Sequence, residues 1–393
     1  MSAPRFVQIH TLHSYPATLL NRDDAGLAKR IPFGGVERLR ISSQCLKRHW
    51  RKAEDQMAIA NAAPEIGRSV RSRRSWQVLL HDPLVAEGLP SDAVTAVLAA
   101  MQEALYGESR KAKAAKGAAN GVVDLERDEL VVLGRPEIEH LARETRRIVG
   151  IAGSDAKKIA AELKELRANF HAIKAGAGLD AAMFGRFVSG DREARVDAAV
   201  HVAHALTVHP AVSEPDYFSA VDDLPAEDQG SGAGHINTAD LTTGLYYGYV
   251  VVDVPLLVAN LEGCRQADWL AADRAVAART VQHLLHLIAK VTPGAKLGST
   301  APYSYASLVL AEAGDEQPRT LANAFLTPLR QPPLEEGAAR ALAARLAAVD
   351  AMYGNEGRRW LATSLPDPGV AGATACTLPA MAEAVAAAIR GEV

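Results

Sequence analysis

The sequence predicts an α+β fold, with strands and helices held in separate stretches of the chain. Three observations predict it. Period-two runs rich in β-formers stand near the N-terminus, at 5–12 and 36–41, and again at 245–254. An Ala-rich block, 60–184, carries apolar residues at spacings of three and four. A polar stretch, 213–244, has two arms around GSGAG and reads as a hairpin-like projection. With 393 residues, 48% of them hydrophobic, the chain can bury a sizeable core and hold two or three structural units.

Residues 5–12, RFVQIHTL, suit a first strand because Val7, Ile9 and Thr11 alternate with Gln8 and His10. The polar loop NRDDAGLAKR and a turn at Pro32-Phe33-Gly34-Gly35 come next. A second strand, Val36 to Ile41, places Arg38 and Arg40 on one face and Leu39 and Ile41 on the other. Ser42 or Ser43 then caps a helix expected to run to about residue 60, with Leu46, Trp50 and Met57 as its buried stripe. In the middle block, Arg135-Pro136-Glu137 opens one helix and Ser154 another, while 108–121 reads as a basic, Gly/Ala-rich loop. Strand character returns at 245–254. A helix follows from about Asp273 to Lys290, ending before Pro293-Gly294. Ser304 to Leu310 is expected as a strand, and Ala-rich helices near 335–353 and 378–390 finish the chain.

Charge is distributed unevenly. Residues 1–52 hold ten bases and three acids, so they carry +7 while the chain as a whole carries −3. Such asymmetry points to a polyanionic partner. Lys47 with Arg51, and Arg48 with Lys52, are like-charge pairs at i,i+4, each destabilising an isolated helix by roughly 0.2–0.5 kcal/mol. Two such pairs make sense where an anion sits. A Ser-capped helix N-terminus beside these cations is a phosphate cradle, and Arg38 and Arg40 extend it along the preceding strand. RSVRSRR (68–74), with Arg71, is a second and weaker basic cluster.

Other chemistries find less support. The three cysteines lie far apart with no CxxC, which argues against a disulfide framework or thiolate zinc site and for a reducing cytoplasm. The N-terminus shows no secretory signal, and the apolar run Tyr246–Leu261 is broken by Asp253 and Pro255 and is too short to span a bilayer, so no membrane role is expected. His201 and His204, read as i,i+3 on a helical face, and His209 lack the carboxylate and HExxH spacing of a zinc site. The pair His283 and His286 is read the same way. Asp23 and Asp24 could hold Mg²⁺ for phosphodiester cleavage, but adjacent loop acids more often form Asx turns or pair with arginine. There is no GxxxxGK[ST] loop and no aromatic RNP signature. Phe187 and Phe218 are either core residues or apolar wedges against bases.

The order LNRDDAGLAKR, FGGVERLRISSQCLKRHWRK, FGRF, DYFSAVDDL and VTPGAK resembles the CasC-type backbone subunit of Cascade, the type I-E CRISPR surveillance complex, within the RAMP superfamily. The resemblance implies a modified RNA-recognition-motif (ferredoxin-like) palm with a helical finger domain and a protruding β-hairpin-like thumb. The palm would take 1–59, 185–212 and 245–393, the finger domain 60–184 and the thumb 213–244. It further implies a non-enzymatic subunit without cofactor. Copies of it would line CRISPR RNA beside other Cascade subunits in the cytoplasm and support pairing with a target DNA strand. Carried over by position, Arg22, Lys29, Ser42, Gln44, Lys47 and Arg51 hold guide phosphates, with Lys296 of PGAK a further candidate. Arg38, Arg40, Arg48 and Arg71 join them from the charge pattern. Phe187, where relatives often carry Met, and Phe218 become the base wedges. The rival reading is a metal-dependent endoribonuclease of a related RAMP backbone using Asp23 or Asp24.

Overall fold

The computed structural model describes residues 3–106, 125–169, 178–186, 196–221, 233–294 and 296–392. Phe187, the loop 108–121 and the centre of the projection, 222–232, lie outside them. The strands in chain order are β1 (Phe6–Thr18), β2 (Arg30–Phe33), β3 (Val36–Ile41), β4 (Val70–Ser72), β5 (Val131–Leu133) and β6 (Val200–Val202), then β7 (Ala205–Thr207), β8 (Ser213–Val221), β9 (Ala233–Asp253), β10 (Leu308–Gly314), β11 (Arg358–Thr363) and β12 (Ala373–Ala375). The chain forms two compact units: Met1–Ala58 with Val202–Val252 and Val281–Val393, and Ile59–His201 with Asp253–Thr280.

The first unit is built on a sheet ordered β12-β11-β10-β1-β9-β7-β3-β2. Within it, β1, β7, β9 and β10 are joined by two helices, α1 (Ser43–Lys52) before β7 and Ala275–Lys290 before β10. Their spatial order β10-β1-β9-β7 is the 4-1-3-2 arrangement of a ferredoxin-like βαββαβ unit. The α+β class is therefore observed, with a large mixed sheet and helices on it.

β1 explains the two-layered burial. Gln8, His10 and Leu12 alternate with Val7, Ile9, Thr11 and His13, and all seven are buried. The face of Gln8 and His10 is covered by a second layer. His10 is held there by the Tyr247 hydroxyl at 2.8 Å and Glu312 at 3.1 Å, while Leu12, Leu310 and Leu361 pack against Leu342 and Leu346 of the helix Leu334–Tyr353. Arg319 and Arg359 complete the pairing of Glu312, at 2.9 and 2.8 Å. Buried charge is tolerated because each member is paired and hydrogen-bonded.

The turn after β2 shows why two glycines stand together. Gly34 and Gly35 have φ of +64° and +78°, the left-handed values a two-residue hairpin loop needs. A Cβ on Gly34 would also run into the Leu326 carbonyl, whereas one on Gly35 would meet nothing. β2 was expected as part of the turn and loop; it pairs instead with β3, Arg30 opposite Leu39.

Several boundaries differ from expectation. α1 ends at Lys52, not near residue 60, because Asp55 Oδ1 accepts from the Met57 N–H and turns the chain. Met57 consequently lies beyond the helix. β9 is far longer than 245–254 because its first half pairs with β8, from Ser213 opposite Thr242 to Val221 opposite Ala233. β10 spans Leu308–Gly314 rather than 304–310, and β11 and β12 fall between the two C-terminal helices, where no strand was expected. At Asp253-Pro255 strand becomes helix: Asp253 accepts from the Leu256 N–H and Pro255 sits in the first turn of Val254–Glu262.

The second unit is mostly helical. Trp76, Leu80, Val94, Leu98, Met101 and Leu141 centre its core, and β4 pairs with β5. The helix Arg135–Ala152 begins as the Arg-Pro-Glu motif predicts, Glu137 accepting from the Gly134 N–H at 3.2 Å. Glu137 is buried with Arg186, whose Nη1 donates to it at 2.6 and 2.8 Å. The Gly-Arg of FGRF is thus structural: Gly185 has a left-handed φ of +80° that favours glycine and a Cβ there would crowd the Val196 carbonyl at 3.0 Å, and Arg186 is a buried ion-pair partner.

Candidate nucleic-acid interface

α1 begins where the sequence places it. The Ser42 hydroxyl accepts from the Cys45 N–H at 3.3 Å, and the Ser42 N–H donates to Asn21 Oδ1 at 2.9 Å. The cap therefore also ties the helix N-terminus to the NRDD loop. That loop is closed by the Lys29 N–H on the Asn21 carbonyl, and the Arg40 N–H reaches the Lys29 carbonyl, both at 2.9 Å. Arg22 is exposed on it and Lys29 half-buried.

Trp50 is the buried anchor of α1, at 3% exposure. Helical periodicity then sorts the remaining side chains. Gln44, Arg48 and Lys52 follow at i,i+4 and are exposed; Ser43, Lys47 and Arg51 form a half-buried flank. Burial lowers the Lys47 ammonium. Lys47 and Arg51 both also interact within the chain. No acid stands in the first turn, and His49, Arg51 and Lys52 occupy the last.

Two neighbouring groups report the local field. Burial pushes the Cys45 thiol up to about 11, against the opposing charges of Arg48 and Lys29. Burial also lowers His204, with Arg40 and Lys29 acting in the same direction. Arg40 Nη1 lies 3.0 Å from His204 Nδ1. Lys29, Arg40 and Arg48 are thus brought to one neighbourhood around the start of α1, beside Arg22 and Gln44.

Arg38 does not join them. It is fully buried. Its guanidinium donates to the carbonyls of Phe33, Thr207 and Phe325 at 3.1, 2.9 and 2.8 Å, and it lies over the Phe33 ring at 5.6 Å. Alternation put it on the face of Arg40, but the segment at Phe325 covers that end, so it is a structural cation and no phosphate ligand.

Other candidates fall in different places. Lys296 caps the short helix Leu297–Thr300; the preceding Gly294 N–H donates to Nε2 of His49 on α1 at 3.4 Å, which brings this connector to the helix. Arg71 is exposed on β4 of the second unit, opposite Val132. Phe218 lies in β8 opposite Asn237, its side chain outside the described residues.

His201, His209 and His283 are hydrogen-bonded to backbone in the fold, while the buried Nδ1 of His286 has no such partner among the described residues. His201 lies in a strand, not on a helix, and its Nε2 bonds the Ala198 carbonyl at 3.0 Å. His209 donates from Nδ1 to Pro210 and accepts at Nε2 from the Leu245 N–H. Asp23 Oδ1 accepts from the N–H groups of Ala25 and Leu27 at 3.0 and 2.9 Å, the Asx-type role. Among the described residues no group of three His, Cys, Asp or Glu is placed to hold a metal, and no helix is long and apolar enough to cross a membrane.

Lys52, which the sequence singled out only through its like-charge pair with Arg48, joins the exposed ridge of α1; sequence reasoning missed two open aromatics after Lys296. Tyr303 and Tyr305 are 76% and 69% exposed, and Lys290 Nζ lies 5.8 Å from the Tyr305 ring centre. The alternation in PYSYA is the signal that could have found them.

The CT1975-like protein family matches residues 7–388. A search of curated proteins returns no match. Among solved structures, a chain of a "CRISPR RNA-guided surveillance complex, pre-nicking" is similar at 26% identity and a TM-score of 0.76, over 98% of this chain and 100% of that one. A chain of a "CRISPR RNA-guided surveillance complex" shares the fold at 22% identity and a TM-score of 0.57, over 98% and 99%. The chain belongs to the CT1975-like protein family, and its fold is that of a chain from an RNA-guided CRISPR surveillance complex.

Proposed function

We propose that the protein is a CRISPR RNA-binding backbone subunit of a Cascade surveillance complex, of the CasC kind found in type I-E systems. The observation that carries this reading is the exposed ridge Gln44-Arg48-Lys52 beside Lys29, Arg40 and Arg22 at a Ser-capped helix start. Backbone N–H groups and fixed cations there suit sugar–phosphate, which they contact without reading bases. Sequence would be read by pairing of the guide with target DNA, the protein holding shape and backbone. Repetition along a guide calls for a head-to-tail contact between copies that does not close on itself, its length set by the RNA and by the other subunits. In this assembly β8 with the start of β9 would supply the thumb, and residues 60–184, which fall within the second unit, the finger domain.

The test is the nucleic acid that co-purifies with the protein expressed beside a CRISPR array and its partner subunits. A discrete RNA of uniform length is expected, lost on combining Arg22→Ala, Lys29→Ala and Arg48→Ala. Recovery of mixed cellular RNA and DNA in equal measure would contradict it. Regular cleavage of complementary RNA with Mg²⁺, abolished by Asp24→Ala, would instead favour the nuclease reading.

A further inference from the structure

A cleft of about 340 Å³ opens where the C-terminal end of the helix Ala275–Lys290, the segment before β10, the end of β11 and the start of the helix Leu378–Arg390 meet. All of these residues belong to the first unit. Its volume falls in the range of small-ligand sites. Val309 forms part of an apolar floor, Tyr305 presents a largely exposed ring, and Lys290 stands over that ring. Ser364 adds a hydroxyl held only at 3.4 Å by the Ser307 carbonyl. Cys376 supplies a thiol that burial pushes up, and no lining residue is acidic.

An apolar slot with one aromatic face, one cation and no carboxylate suits a flat ring bearing a negative charge. Lys290 and Tyr305 also bracket the connector that carries Gly294 and Lys296, and Gly294 is hydrogen-bonded to His49 of α1. The connector between the two lining residues is thereby tied to α1, the helix that carries Arg48 and Lys52. We propose that it receives one unstacked nucleotide of single-stranded RNA, with its base against Tyr305 and its phosphate at Lys290. The proposal rests on the RNA-binding reading above. Stacking on one aromatic tolerates any base, so the cleft adds affinity without sequence preference.

The experiment measures binding of bromouridine-substituted single-stranded RNA to the full chain, followed by ultraviolet crosslinking and peptide mapping. Arg48→Ala is run in parallel. We expect the crosslink on the peptide holding Tyr305, and a loss of about ten-fold in affinity for Tyr305→Ala, since stacking is worth roughly 1–3 kcal/mol per base and 1.4 kcal/mol is ten-fold. Tyr305→Phe should restore most of it, and RNA should slow alkylation of Cys376. If Arg48→Ala weakens binding while Tyr305→Ala does not and the crosslink lies elsewhere, the cleft proposal falls and the RNA reading stands. If neither variant changes affinity, both fall. If Tyr305→Ala leaves RNA affinity intact but lowers the assembly state, the occupant is a protein side chain and the proposal is overturned.

Discussion

Arg38 and Arg48 have the same guanidinium and opposite duties. Arg38 spends its nitrogens on three buried carbonyls, and Arg48 stands exposed on the ridge of α1. Arg38→Lys keeps the charge but cannot span three acceptors, and leaving buried carbonyls unpaired costs about 2–5 kcal/mol. We expect a clear drop in urea midpoint for Arg38→Lys. Arg48→Ala should melt with the parent, within about 0.5 kcal/mol, and lose RNA affinity. Sequence could not separate the two, because alternation says which face of β3 a residue joins and not whether a distant turn covers that face. Ser42 was legible for the opposite reason: a cap is decided within the next three residues.

At the scale of elements, the β2–β3 hairpin and the seat of the helix Ala275–Lys290 carry the strongest expectations. Gly34→Ala forces the hairpin away from the Leu326 carbonyl and should cost more than Gly35→Ala, which meets open space and pays only for its left-handed φ, about 1–2 kcal/mol. Denaturation of the two variants side by side checks this. His13 of β1 is buried, and burial lowers it from 6.5 to about 4 against the smaller, opposing effect of the Ala289 and Ile288 backbone on the helix. The folded protein thus disfavours the protonated ring. Between those values the unfolded chain binds a proton that the folded chain does not, so stability falls as pH drops from 6.5 to 4 and this loss then levels off. The full effect is about 3 kcal/mol, at 1.36 kcal/mol per pKa unit. His13→Phe should flatten urea midpoints across that window. Helices with strong caps, such as Arg135–Ala152 and Leu378–Arg390, were legible in the sequence. β11 and β12 were not, because RRWLAT and ATA are too short to show a period of their own and exist as strands by pairing with β10 and with each other.

For the whole molecule, charge and topology point the same way. The amino-terminal excess of positive charge is gathered at α1 and the loop beside it, in the unit whose order β10-β1-β9-β7 is ferredoxin-like. The stretch 213–244 holds seven acids and no Lys or Arg. Its contribution to RNA binding cannot come from pairing with phosphates, so shortening it should alter assembly and leave the salt dependence of RNA affinity unchanged. The candidate interface was legible as a charge pattern; its outer ridge was not, because exposure depends on which flank of α1 the sheet covers. If these cations hold RNA backbone, the salt dependence of affinity must register each of them. Single-stranded binding loses about 0.7 in log–log slope per phosphate contact removed. The triple substitution Arg22→Ala, Lys29→Ala, Arg48→Ala should therefore reduce the slope by roughly 2 with an unchanged melting curve. An identical slope and affinity in the parent and the triple variant would contradict the account.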